Sequence, residues 1–140
     1  MDAKEYRVSS QDKGYHLFDE PRKFSLRPDI VVTNNNSKKQ VVLDTKWKIL
    51  SSNQQTNYGI SQSDMYQMYI YEKKYKSEKV ILIYPFNKAI DDSSIVHTYV
   101  AKEELPIEID TMFFDLMDVK GSLERLTNLI GLNNKEELAV

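Results

Sequence analysis

The sequence predicts a mixed α/β fold, a central β-sheet with helices packed on it. Two short, β-branched apolar runs flank the polar segment NNNSKK, Asn34 to Lys39. A helix-periodic stretch follows, and then the continuous apolar run KVILIYPF, Lys79 to Phe86. Strand-type and helix-type periodicity alternating in this way is the pattern of an α/β sandwich. The 41% hydrophobic content supplies a core and excludes wholesale disorder. At 140 residues the chain is read as one domain, 1–140, with a polar segment over 1–14 and a flexible tail over 133–140.

The elements follow in order. FSLRPDIVV, ending at Val32, and VVLDTKW, from Val41 to Trp47, predict an antiparallel hairpin around the Asn-rich turn. Pro28 cannot donate a ladder hydrogen bond, so a strand start, edge or bulge is expected there. Ser51 to Gly59 reads as a loop. The next stretch, ISQSDMYQMYIYEKKYKSEK, predicts a helix. Ser61 and Asp64 resemble a capping box, and Met65, Met68 and Tyr69 form a core stripe. KVILIYPF predicts a strand buried on both faces and parallel to its neighbour across the helix. IVHTYVA (Ile95 to Ala101) and PIEIDTMFFDL (Pro106 to Leu116) predict further strands, and SLERLTNLIGL (Ser122 to Leu132) a final short helix.

Charge and composition narrow the function. Lys and Arg number 19 and Asp and Glu 21, a formal charge of −2, which excludes a strongly basic, histone-like nucleic-acid binder. A local basic patch for phosphates remains compatible. The absence of cysteine excludes disulfides, a thiol nucleophile and a thiolate metal site. His16 and His97 are too far apart in sequence to favour an imidazole-built zinc site. No apolar run approaches the ~20 residues of a membrane helix, and the polar N-terminus is not a secretory signal. A soluble cytoplasmic domain without a membrane partner is therefore expected.

Asp29, Asp44 and Lys46 carry the chemistry. Each interrupts an apolar strand, and desolvating an isolated charge is expensive unless it is paired or binds a metal. Side chains alternate along a strand, so Asp44 and Lys46 face one side and Thr45 the other. If the hairpin is in register, Asp29 comes level with Asp44, and two carboxylates meet beside an ammonium. That arrangement suits a hard divalent cation, magnesium or its substitute manganese, with the Thr45 carbonyl as a further oxygen ligand. Lys46 would orient or help deprotonate an attacking water and balance the charge of a pentavalent phosphate. Gln67 and Tyr71, at i and i+4, share a helix face with Asp64. From that face Gln67 could reach the water and Tyr71 a phosphate. The competing reading of the charged trio is a buried ion pair that merely holds a hairpin.

Other residues are expected to be structural: Trp47 as packing, His16 and His97 as ordinary residues, and Lys73, Lys74, Lys76 and Lys79 as a solvated helix end. Glu103, Glu104 and Glu108 are expected to face solvent.

The strings Arg27-Pro28-Asp29 and Asp44-Thr45-Lys46 resemble the PD-(D/E)xK nuclease pattern. Gln67 to Tyr71, QMYIY, resembles the QxxxY extension of its RecB-like branch. With the flanking strings LRPDIVV, VVLDTKWK and SDMYQMYIYEKKY, the chain looks most like the nuclease domain of McrC, over residues 15 to 86. McrC is the endonuclease subunit of McrBC methylcytosine-dependent restriction systems. The resemblance implies a restriction-endonuclease-like core, Asp29 and Asp44 as metal ligands, Lys46 as catalytic lysine, and Gln67 with Tyr71 as the helix motif. It implies magnesium-dependent cleavage of DNA and a partner, an AAA+ GTPase subunit of McrB type, and it leaves a homo-oligomer open. No GxxxxGK[ST] motif is present, so GTP hydrolysis is expected of the partner. Against the family pattern, the chain is expected to lack the N-terminal partner-joining region and the acidic helix before the first strand. Glu5 or Glu20 is the only stand-in for that acid. A non-catalytic scaffold and a RecB-like exonuclease or repair nuclease are the rival readings.

Overall fold

The computed structural model describes residues 5–51, 58–77, 79–88 and 97–131. Eight strands and two helices occur among them: β1 (Tyr6–Ser10), β2 (His16–Asp19), β3 (Arg22–Ser25), β4 (Ile30–Asn34), β5 (Gln40–Thr45), α1 (Gln62–Tyr75), β6 (Lys79–Pro85), β7 (His97–Ala101), β8 (Ile107–Phe114) and α2 (Val119–Ile130). Six strands form one mixed sheet in the order β1-β4-β5-β6-β8-β7, and β2 and β3 form a separate two-stranded sheet. The α/β expectation and the restriction-endonuclease-like layout agree with this architecture.

The β4–β5 hairpin is antiparallel, with Ile30 opposite Leu43 and Val31 opposite Val42. Its turn is closed by Asn34, whose side-chain oxygen accepts from the Asn36 and Ser37 N–H groups. β5, β6 and β8 run parallel, and α1 makes the crossover from β5 to β6. Burial on both faces explains the unbroken apolar run of β6, where Val80 to Tyr84 are all buried.

α1 starts where Ser61 accepts a hydrogen bond from the Asp64 N–H at 3.0 Å. It stops at Lys76, which adopts the left-handed conformation (φ 48°). Met68, Tyr71 and Tyr75 of α1 pack on Val31, Val42, Val80, Leu82 and Ile109. The opposite face, including Val32, Leu43, Ile81 and Met112, receives Leu126, Leu129 and Ile130 of α2. Strand alternation therefore assigns Val42, Asp44 and Lys46 to the α1 side.

Several expectations are corrected. Phe24 to Val32 is not one strand, because β3 belongs to the small sheet and β4 begins only at Ile30. Pro28, buried and without an N–H, separates the two. The polar 1–14 segment contains β1, an edge strand whose Val8 pairs with Val32. An edge strand is half-solvated, so its sequence need not be apolar. α2 begins at Val119 rather than Ser122, because Asp118 caps the Gly121 N–H at 3.1 Å. Lys79 is not part of a solvated helix end. It opens β6, lies 3.2 Å from the buried Asp110 carboxylate and donates to the Leu129 carbonyl. Trp47 does not pack inside, being 82% exposed. The expected tail over 133–140, most of the 51–59 loop and Ile95 lie outside the described residues. Among the described residues no helix is long and apolar enough to cross a membrane.

Candidate active site

Continuing the β4–β5 register by one pair sets Asp29 opposite Asp44. The two side chains thus share the α1 side of the sheet, at the carboxyl end of β5. In open α/β sheets the carboxyl ends of parallel strands are where ligands bind. The Asp29 N–H donates to Asp44 Oδ1 at 3.3 Å, which ties the two residues together directly.

Asp29 is held from three directions. Its Oδ2 accepts from the Thr45 N–H at 2.8 Å and the Thr45 hydroxyl at 2.7 Å. Its Oδ1 accepts from Gln11 Nε2 at 3.1 Å, and its carbonyl accepts from the Gln11 N–H. Burial works against ionisation of Asp29, but the Thr45 and Gln11 hydrogen bonds and the Lys46 charge outweigh it and hold the carboxyl below the usual aspartate value. Asp44 behaves oppositely. It is 4% exposed, and burial raises its carboxyl above the usual value despite the opposing Lys46, with the Asp29 charge adding to the rise. The site therefore pairs a carboxylate that ionises readily with one whose charge is costly to hold.

The Lys46 amine sits 3.1 Å from Asp44 Oδ2 and 3.6 Å from Asp64 Oδ1, and it donates to Gln67 Oε1 at 2.7 Å. Gln67 Nε2 in turn donates to the Tyr71 hydroxyl at 3.0 Å. The two bonds assign the Gln67 amide orientation, with oxygen to the lysine and nitrogen to the tyrosine. Tyr71 is 1% exposed, and burial together with the Asp44 and Asp29 charges pushes its hydroxyl up to about 12. It stays neutral and stands behind Gln67, among the residues that line the adjoining groove. Beside this chain a groove of about 380 Å³ opens between residues 25–27 and α1, bordered by Arg27, Ser63, Tyr66 and Gln67.

The structure thus brings together Asp29, Asp44, Thr45, Lys46, Gln67 and Tyr71. Two further residues join them. Gln11, at the end of β1, was not foreseen, and no local pattern marks it. Asp64, expected to cap the helix and to share the Gln67 face, also joins the site through Lys46, and its i, i+3 spacing to Gln67 was the available signal. The suggested acidic stand-ins do not reach the site. Glu5 precedes β1 beside Asn35, at the far end of β4 from Asp29, and Glu20 lies in the exposed β2–β3 turn.

The donor set suits a hard cation. Each carboxylate offers about four lone-pair sites. The bonds above occupy three on Asp29 and two on Asp44, so both retain acceptor capacity. Among the described residues no three His, Cys, Asp or Glu side chains form a metal-holding group. A pair of carboxylates without soft donors fits magnesium, which binds one or two carboxylates and fills its remaining positions with water and phosphate.

The family model of the McrBC 5-methylcytosine restriction system component matches residues 1–85. A chain of the refined half-complex from the tetradecameric assembly of Thermococcus gammatolerans McrB AAA+ hexamers with bound McrC has a similar fold. Its TM-score is 0.64 at 18% identity over 93% of this chain. The match spans 29% of that chain's length. No curated protein sequence matches.

Proposed function

This chain belongs to the family of McrBC 5-methylcytosine restriction system components, and from that membership and the geometry at the end of β5 we propose that it is a magnesium-dependent DNA-cutting module. The observation that carries the proposal is the convergence of Asp29, Asp44 and Lys46 on one sheet face, with Gln67 bonded to the lysine. Asp29 and Asp44, with the Thr45 carbonyl, would hold the metal. When bound it would polarise a phosphate oxygen and lower the pKa of a water.

The residues divide the remaining work. Asp29 is held ionised by Thr45 and Gln11, so its charge is available without local rearrangement. Lys46 presents N–H donors where negative charge grows on phosphorus-bound oxygens, the position at which fixed charge most lowers a barrier. Gln67 and Asp64 aim that amine, and Tyr71 aims Gln67, which makes Asp64 and Tyr71 positioning residues. Arg27, on the adjoining groove, is suited to a neighbouring phosphate. The formal charge of −2 supports a cutting module that draws part of its DNA affinity from a partner. The structural neighbour, an assembly of McrB AAA+ hexamers with McrC, supports an AAA+ ring as that partner.

The test is nicking of supercoiled plasmid with magnesium, with and without an AAA+ GTPase of McrB type. Cutting by the wild type and at least ~10²-fold loss in both Asp44→Ala and Lys46→Ala are expected, since each removes charge stabilisation at the reacting phosphate. Equal background in all three proteins under both conditions would instead favour a scaffold. Cutting of linear ends with closed circles left intact would favour an exonuclease.

A further inference from the structure

The groove between residues 25–27 and α1 differs in chemistry from the rest of the chain. Ser63, Tyr66, Gln67 and Ile70 of α1 line it. At i, i+3, i+4 and i+7 they form one stripe of the helix. Polar contacts tie that stripe to the carboxylates. Gln67 Oε1 accepts from the Lys46 amine at 2.7 Å, and the same amine lies 3.1 Å from Asp44 Oδ2. The other wall supplies Ser25 and Arg27, the latter two residues before Asp29. Arg27 is the groove's cation, and among the described residues no acidic side chain lines it, although the chain carries 21 acids against 19 bases. Such a wall suits the anionic backbone of a nucleic acid. Tyr66 is 60% exposed, so the helix holds a broad aromatic face beside that cation. Ser25 Oγ is buried and has no hydrogen-bond partner among the described residues. Buried hydroxyls are nearly always bonded, so an orphan in a groove wall points to a polar occupant. The volume of about 380 Å³ lies within the ~300–1,000 Å³ of sites that hold one small ligand. It suits a single nucleotide unit rather than a double helix.

From the lining of this groove and its link through Gln67 to Lys46, we infer that it is a subsite for one unpaired nucleotide flanking the phosphate to be cut. The base lies on the Tyr66 ring and its phosphate faces Arg27. The inference rests on the DNA-cutting reading for its substrate class. A base inside an intact duplex presents no free face, so the occupant belongs to a single strand or is an extruded base.

The test separates the base from the backbone. Labelled oligothymidylate and the same sugar–phosphate strand without bases are bound to the full chain at low salt without magnesium, with and without an AAA+ GTPase of McrB type, and followed by anisotropy. Tyr66→Ala, an exposed helix position given the best helix former, is expected to keep the wild-type melting temperature. It is expected to weaken binding of oligothymidylate about tenfold and to leave the base-free strand unchanged. Tyr66→Phe keeps the ring and should bind as wild type does. Arg27→Ala should weaken both strands and lower the salt slope by ~0.7, the share of one phosphate on a single strand. A wild type indifferent to the bases under both conditions, or a Tyr66→Ala loss that is equal on the two strands or missing from both, overturns the inference. A Tyr66→Ala protein that binds both strands normally but no longer binds the GTPase also overturns it and assigns the groove to protein docking. The base-dependent Tyr66→Ala defect without magnesium-dependent cutting under any condition would sink the nuclease reading and leave the subsite standing. Magnesium-dependent cutting by a wild type that ignores the bases would do the reverse.

Discussion

Asp44 illustrates how one residue sets function against stability. Its carboxyl is buried, and the folded protein holds its charge at a net cost even after the help of Lys46. A folded-state pKa above the unfolded value contributes stability that is present below the ordinary aspartate range, ~3.9, and lost as pH rises through the folded value. Asp29 has the opposite sign, contributing stability above that range that disappears as pH falls through its lowered value. Asp44→Asn keeps an oxygen for the Asp29 N–H and removes the costly charge. It is expected to abolish cutting while raising stability near neutral pH by roughly 0.5–2 kcal/mol, the scale of gains from relieving functional-site strain. Thermal melts of both proteins across pH check this. The advantage should vanish under acid conditions where Asp44 is itself neutral, and an Asn variant less stable than wild type at neutral pH would contradict the account.

At the scale of elements, α2 is pinned to the sheet by a charged pair. Asp110 of β8 is 1% exposed, bonds the Thr98 hydroxyl at 2.6 Å and lies 3.2 Å from the Lys79 amine, which also reaches the Leu129 carbonyl of α2. Asp110→Ala leaves that amine without its buried partner. A loss of about 3–5 kcal/mol is expected by denaturant unfolding. Replacing both Lys79 and Asp110 with apolar residues of similar volume should recover much of it, because the desolvation cost disappears with the charges. This pair was invisible in the sequence. Lys79 closes a run of helix-end lysines, and nothing in the spacing of positions 79 and 110 marks them as neighbours. The β4–β5 hairpin was readable for the contrary reason: its partners are close in sequence, and alternation plus one turn sets their register.

At the scale of the molecule, charge decides how the protein meets DNA. Arg27 and Lys46 lie at the site and the exposed Lys48 follows two residues after Lys46, against a formal charge of −2 for the whole chain. Each neutralised phosphate contributes ~0.9 to the slope of log affinity against log salt. A shallow slope near ~3 is therefore expected for the chain alone, measured by anisotropy over a range of salt concentrations, and a steeper one when an AAA+ partner is added. A slope of ~6 or more for the chain alone would mean that a larger basic surface acts than the one at the site.

Sequence alone determined the residue types at the site and the local geometry that brings them together. Alternation assigned Asp44 and Lys46 to one face, hairpin pairing brought Asp29 level with Asp44, and the helix repeat aligned Asp64, Gln67 and Tyr71. These follow from backbone periods of two and 3.6 residues, which covalent geometry imposes within a single element. Only the tertiary structure decided that α1 lies over the end of β5, so that Asp64 and Gln67 close on Lys46. It also decided that Gln11 returns from an edge strand to hold Asp29, and that Trp47 is left in solvent. Those contacts depend on how separate elements share one core, and packing between elements distant in the chain has no period to read.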